Sequence, residues 1–360
     1  MICIPLPEST AADRLIAADI VVLARENPDK PFSYLAVEVL KGELDDRKID
    51  LFVNSQTRRR LTKNPEGAVV LAFGGGPMVR VSGPWRDSPA TSKTSPRQWQ
   101  VLGYASPEYR QVVQEVLMAF PRWQGTSGLE QRAQFFIPYL SSTEKAVREL
   151  AYLEVGMASY DTIRLADESV SDEQVQTFLA EDRYLEWRSL FILLLGVNAT
   201  EADREVIRTQ MDSNRRWSRN LNLSAWAAAL IEVDDKEAID WLEANYLGDR
   251  YRKPENVEEI LKAMSVHGNR KVPELRARII ESYGSLIRTH PQLAGWVARD
   301  LLIWGDWRYR QALDDLRQSA ADLDSASAYA IDTYVRRAAS QDEQPSYLPT
   351  NGTPADDPRG

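Results

Sequence analysis

The chain has 360 residues, 43% hydrophobic and 27% charged, with a formal net charge of −9, which is ordinary for a globular protein with room for two or three domains. No run of about eighteen apolar residues occurs, so a membrane-spanning helix is not expected. A single cysteine, Cys3, excludes an intrachain disulfide and a thiolate metal cluster, and only His267 and His290 are available to a hydrolytic triad or a zinc site. The charge is slightly positive over residues 1–124 and acidic beyond, so nucleic acid is not an expected partner of the second part.

The chain opens with a short helical pattern over residues 11–17. Apolar and β-branched runs of strand length follow at 19–25, 32–40, 49–53 and 68–73, separated by polar and Pro- or Gly-bearing turns. Within 32–40, Phe32, Tyr34, Ala36, Glu38 and Leu40 share one face and Leu35, Val37 and Val39 the other. Both sides of this strand are therefore partly covered, which predicts a small closed sheet rather than an open one. Arg58-Arg59-Arg60 with Lys63 is the one basic cluster here, read as a solvated helical turn balanced by Glu43, Asp45, Asp46 and Asp50. Gly74-Gly75-Gly76-Pro77 lacks the Lys-Ser/Thr ending of a phosphate loop and leads into an extended run at 78–81, so a hairpin or bulge is expected. Residues 82–97, rich in Pro, Ser, Thr and basic side chains, read as a loop.

The order Cys3-x-Pro5, an Ala-rich helix, Ala18-Asp19-Ile20-Val21-Val22, Val37-Glu38-Val39-Leu40-Lys41-Gly42 and Ala68-Val69-Val70-Leu71 resembles the OB-type barrel of netrin-like domains, the kind also seen in tissue inhibitors of metalloproteases. The resemblance implies a small β-barrel and an exported setting. Those inhibitors chelate zinc through an amino-terminal cysteine and staple their loops with disulfides. Cys3 instead follows two residues and has no partner cysteine, so a protease-inhibitor-like module stands only as an alternative.

From Ser106 the pattern turns helical. Ser106-Pro107 reads as an N-cap with a first-position proline, and Tyr109, Val112, Val113, Val116, Leu117 and Phe120 form the inward stripe of a connecting helix. Helical spacing then recurs at 129–140, 143–155, 160–165, 172–180, 185–195, 201–211, 223–231, 236–246, 257–264, 273–287 and 325–338, with interruptions at 213–222 and 249–255. Gly248-Asp249, Gly268-Asn269 and Gly305-Asp306 each read as a left-handed turn residue followed by a small polar one. The last two lie 37 residues apart, near the length of a two-helix repeat.

The stretch 291–317 holds a pair of amphipathic helices. Leu293, Trp296, Val297, Leu301 and Trp304 line the first and Tyr309, Ala312, Leu313 and Leu316 the second. Gly305 is expected to end the first and Asp306 to cap the second. Such an array resembles the HEAT-like α-solenoids over residues 125–339. Glu154-Val155-Gly156-x-Ala158-Ser159-Tyr160-Asp161-x-Ile163, Leu194-Leu195-Gly196 and Ala298-Arg299-Asp300-Leu301-x-x-Trp304-x-Asp306-Trp307 are similar to a group of bacterial proteins that join a small β-barrel to such helices. That group implies an envelope location and no known activity. Its members begin with a secretion signal, and MICIPLPEST has neither a basic start nor an adequate apolar core. The expectation is therefore a periplasmic or secreted protein whose signal was removed from the numbered chain, with a cytoplasmic location as the alternative.

The expected fold is α+β multidomain: a small OB/netrin-like β-barrel over residues 1–120, an all-α HEAT-like helical-repeat domain over 125–339, and a disordered tail over 340–360. Two aromatic clusters are candidate binding sites, Trp217 among Arg215, Arg216 and Arg219, and Trp307 with Arg308 and Arg310. Trp296, Trp304, Gly305 and Asp306 are assigned structural roles, with Asp306 and Arg310 as an i,i+4 ion pair. Asp300 and Asp306 are the nearest pair of carboxylates for a hydrolase, but they point to different faces. No catalytic residue, metal or cofactor is assigned. The expected function is a non-enzymatic scaffold that recognises a protein or a cell-envelope component. The alternatives are a carboxylate-dependent hydrolase acting on a glycan and the inhibitor-like module.

Overall fold

The structure is a computed structural model that describes residues 9–74, 97–123, 128–164, 171–270, 272–319 and 323–342. Cys3, Gly75 to Pro77, the extended run at 78–81, the loop at 82–96 and the tail from 343 lie outside the described residues. The chain forms two compact units, Met1–Ser213 with Leu221–Val233, and Asn214–Asn220 with Asp234–Gly360.

The first unit begins with helix α1 (Ala11–Ala17). The Thr10 hydroxyl accepts the Asp13 N–H at 3.1 Å while the Asp13 carboxylate accepts the Thr10 N–H at 2.9 Å, a reciprocal cap. Strands β1 (Ile20–Glu26), β2 (Tyr34–Lys41) and β3 (Lys48–Ile49), helix α2 (Ser55–Lys63) and strands β4 (Val69–Gly74) and β5 (Gln98–Tyr104) follow. The strands pair antiparallel in the order β3-β2-β1-β4-β5. Among the described residues the sheet curls into a half-barrel with β3 and β5 at its edges, not the closed sheet read from the two-sided pattern of β2. Two-residue β3 is too short to carry a further pairing round to β5.

Both faces of the central strands are nonetheless buried. Val22, Ala24, Tyr34, Ala36, Ile49, Val69 and Leu71 form one core, and the alternate residues Val21, Leu23, Val70 and Ala72 are buried as well. Helix α1 packs against β4 and against helix α3 (Pro107–Ala119), which buries Tyr109, Val112, Val113 and Val116 behind the Ser106 cap.

Helices α4 (Gly128–Phe136), α5 (Lys145–Gly156), α6 (Tyr160–Arg164), α7 (Asp172–Ala180), α8 (Arg188–Val197), α9 (Glu201–Trp217) and α10 (Leu223–Leu242) come next. One buried ionic cluster ties α1 to α4 and α5. Arg132 lies 2.8 Å from a carboxylate oxygen of Asp13 and 2.8 Å from one of Glu154, with all three side chains under 10% exposed. Thr10 donates its hydroxyl to Glu154. Helix α10 is broken at Asp235, whose φ of 48° and ψ of −120° are not helical.

The second unit takes the last residues of α9, the part of α10 beyond the break, and α11 (Pro254–Gly268), α12 (Pro273–Thr289), α13 (Ala294–Trp304), α14 (Arg310–Gln318) and α15 (Ser325–Asp342). Helix α12 packs against α11 and α13, and α13 and α14 both pack against α15. Among the described glycines only Gly42 and Gly305 have positive φ, so Gly248 and Gly268 are not the left-handed turns expected of them. Gly268 is the last residue of α11 and is small for another reason. A Cβ there would sit 2.3 Å from the Trp304 ring.

Candidate functional site

Helix α9 runs six residues past its expected end because it is closed by backbone geometry rather than by composition. Ser218 adopts φ 48°, and the Arg219 N–H reaches back to the Asn214 carbonyl at 3.0 Å, the six-to-one closure of a Schellman end made with serine where glycine is usual. Trp217 is thus the last residue of a helix, not part of an interrupting segment, and it is 66% exposed.

A second loop stands beside this helix end. Arg252 donates Nη1 to the Arg215 carbonyl at 2.7 Å and Nε to the Asn245 carbonyl at 2.8 Å, with its side chain only 14% exposed. It therefore satisfies carbonyls near the C-terminal ends of two helical segments, where a cation is favoured both by the orphan acceptors and by the backbone dipoles. The loop is held from three more directions. Asp249 pairs with Arg252 at 3.2 Å and accepts the Tyr251 N–H at 3.0 Å. The buried ring of His290 lies 3.0 Å from the Asp249 carbonyl, a geometry that makes Nε2 the donor.

Tyr251 is 85% exposed at the tip of this loop, with the Arg250 guanidinium 5.4 Å from its ring centroid. Arg216, Arg219, Arg250 and Lys253 are also exposed. The surface is two exposed aromatic rings with cations beside them, on a backbone fixed by part-buried side-chain hydrogen bonds. Sequence reasoning found Trp217 but passed over Tyr251 and Arg252, although Arg250-Tyr251-Arg252 repeats the pattern of a ring between arginines.

The other candidate cluster is arranged differently. Gly305 ends α13 at φ 68°. Asp306 accepts the Arg308 N–H at 3.1 Å and meets its guanidinium at 2.9 to 3.1 Å. Helix α14 starts only at Arg310, after Tyr309 and without a side-chain cap. Asp306 is therefore not the cap expected of it, because Arg308 offers the carboxylate both a backbone and a side-chain donor two residues on. Trp307 packs on Tyr334 with centroids 5.4 Å apart, and Trp304 stacks on Tyr283 while donating Nε1 to Asn269 at 2.8 Å. Trp296 has Lys262 and Arg299 within 6 Å of its ring. Asp300 is 2% exposed and accepts from Ser265 at 2.8 Å and from Tyr283 at 2.5 Å.

Among the described residues no group of three or more His, Cys, Asp or Glu side chains could hold a metal ion, and no helix is long and apolar enough to cross a membrane. Fold and surface together define an α+β protein with a curled antiparallel sheet followed by packed helices. Comparison with known protein families, with curated proteins and with solved structures finds no match to this chain.

Proposed function

We propose that this chain is a non-enzymatic binding protein of the bacterial cell envelope, and that its helical part is a degenerate HEAT-like array presenting a recognition surface. The observation that carries the reading is the exposure of Trp217 on a helix end that Arg252 holds rigid. A large ring left in water but preorganised loses little freedom on binding and gains much contact area, the profile of an interface anchor. Neighbour packing of α11, α12 and α13 in sequence supports the repeat reading, and the likeness of the first third to exported barrels supports the envelope setting.

Hydrolysis by Asp300 and Asp306 draws less support. One carboxylate is buried under two hydroxyl donors and the other is engaged by Arg308. The test is site-specific crosslinking of the full chain in envelope extracts, with a photoreactive residue at position 217 and, as control, at the exposed Tyr329. A discrete adduct from 217 and none from 329 supports the reading. Equal adducts from both positions, or turnover of a glycan by the pure protein, overturns it.

A further inference from the structure

We infer that the Trp217–Tyr251 surface docks an acidic polypeptide segment, one in which aromatic or aliphatic side chains alternate with carboxylates. This rests on the reading of the helical part as a binding array and specifies its partner. The first ground is charge. In a chain of net charge −9, the two short stretches 214–220 and 249–253 expose Arg219, Arg250 and Lys253, and the one acid within them, Asp249, is paired with Arg252. Guanidinium groups meet carboxylates in planar, two-pronged geometry, and a cluster of them is a waste of desolvation for a neutral ligand.

The second ground is the pairing of those cations with two rings. Trp217 at 66% and Tyr251 at 85% exposure are among the most open large apolar side chains of the second unit. They stand on segments that the Arg252 bond to the Arg215 carbonyl brings together. Rings between cations fit a ligand that offers apolar side chains between its own anions. The third ground is extent. These cations lie on two short stretches, a helix end with the residues after it and one loop, and the chain as a whole is acidic. A long polyanion such as a nucleic acid would run past the patch into repulsion, whereas a segment of a few residues meets the patch alone.

The experiment uses the full chain and fluorescein-labelled probes read by anisotropy at low and moderate salt. The probes are a twelve-residue peptide alternating Asp/Glu with Trp/Leu, the same peptide with Lys for every acid, an all-acidic peptide without apolar residues, and a twelve-nucleotide oligothymidine. The proteins are the native chain, Trp217→Ala, the double variant Arg219→Glu with Arg250→Glu, and Tyr329→Ala as control, each checked for an unchanged melting temperature. The expected result is salt-sensitive binding of the acidic-apolar peptide over the other three. Binding should weaken about tenfold in Trp217→Ala and in the charge reversal and stay unchanged in Tyr329→Ala.

The inference is overturned if the oligothymidine binds as well as the peptide, if the charge reversal leaves affinity unchanged, or if no acidic probe binds. A crosslinked partner at position 217 together with no binding of any acidic probe would leave the binding-protein reading standing and remove this one. Loss of both would remove both.

Discussion

Tyr283 donates its hydroxyl to Asp300 at 2.5 Å, with both residues buried in the second unit. Burial pushes Asp300 up from its ordinary 3.8 to about 7, with the hydroxyls of Tyr283 and Ser265 pulling the other way. The folded chain therefore keeps a proton that the unfolded chain releases at lower pH. Stability falls as pH rises between those two values, by up to about 4 kcal/mol. Urea unfolding at a series of pH values reads this slope. Asp300→Asn, which can still pair with two hydroxyls, should flatten it and raise the midpoint above pH 7. A slope that survives the substitution would assign the effect to other groups.

Arg132 is the cation between Asp13 and Glu154 in the first unit. Removing it leaves two buried carboxylates without their cation, so Arg132→Met should cost about 3–5 kcal/mol. The triple variant Arg132→Met, Asp13→Asn, Glu154→Gln should recover most of that loss. Thermal unfolding of the pair of proteins distinguishes an ionic cluster from a merely space-filling side chain, for which the triple variant would be no better than the single.

Asp235 holds φ 48° and ψ −120° at the break in α10, a conformation that costs a residue with a Cβ roughly 1–3 kcal/mol and glycine almost nothing. Asp235→Gly should raise the free energy of unfolding by about 1 kcal/mol, and Asp235→Ala should not. Equal effects of the two substitutions would mean that the carboxylate, not the backbone, sets the energy at this position.

Arg252 closes two helical ends from one side chain. Arg252→Ala leaves carbonyls of Arg215 and Asn245 short of donors and should cost about 2 kcal/mol. It should also open the Tyr251 loop to limited proteolysis. Cleavage between residues 249 and 253 at the native rate would contradict the role assigned to this arginine.

What could be read in advance was whatever depends on neighbours in sequence. The Ser106-Pro107 start of α3 and its stripe of Tyr109, Val112, Val113 and Val116 follow from spacing alone, and Trp217 stood out because a large ring among arginines fits no apolar stripe. The rest depended on partners far along the chain. Arg252 reaches a carbonyl 37 residues away, and Arg132 reads as a surface residue until Asp13 and Glu154 are brought to it. Sheet closure depended on the length of β3, which no alternation of apolar residues reports. Gly268 looked like a turn because the Trp304 ring that occupies its missing side-chain space lies 36 residues on.

The inward turn of Arg252, between an exposed tyrosine and an exposed lysine, gives three consecutive positions unequal mutational tolerance. Changes at 251 and 253 leave in place the side-chain bonds that fix the loop, whereas loss of the arginine removes them.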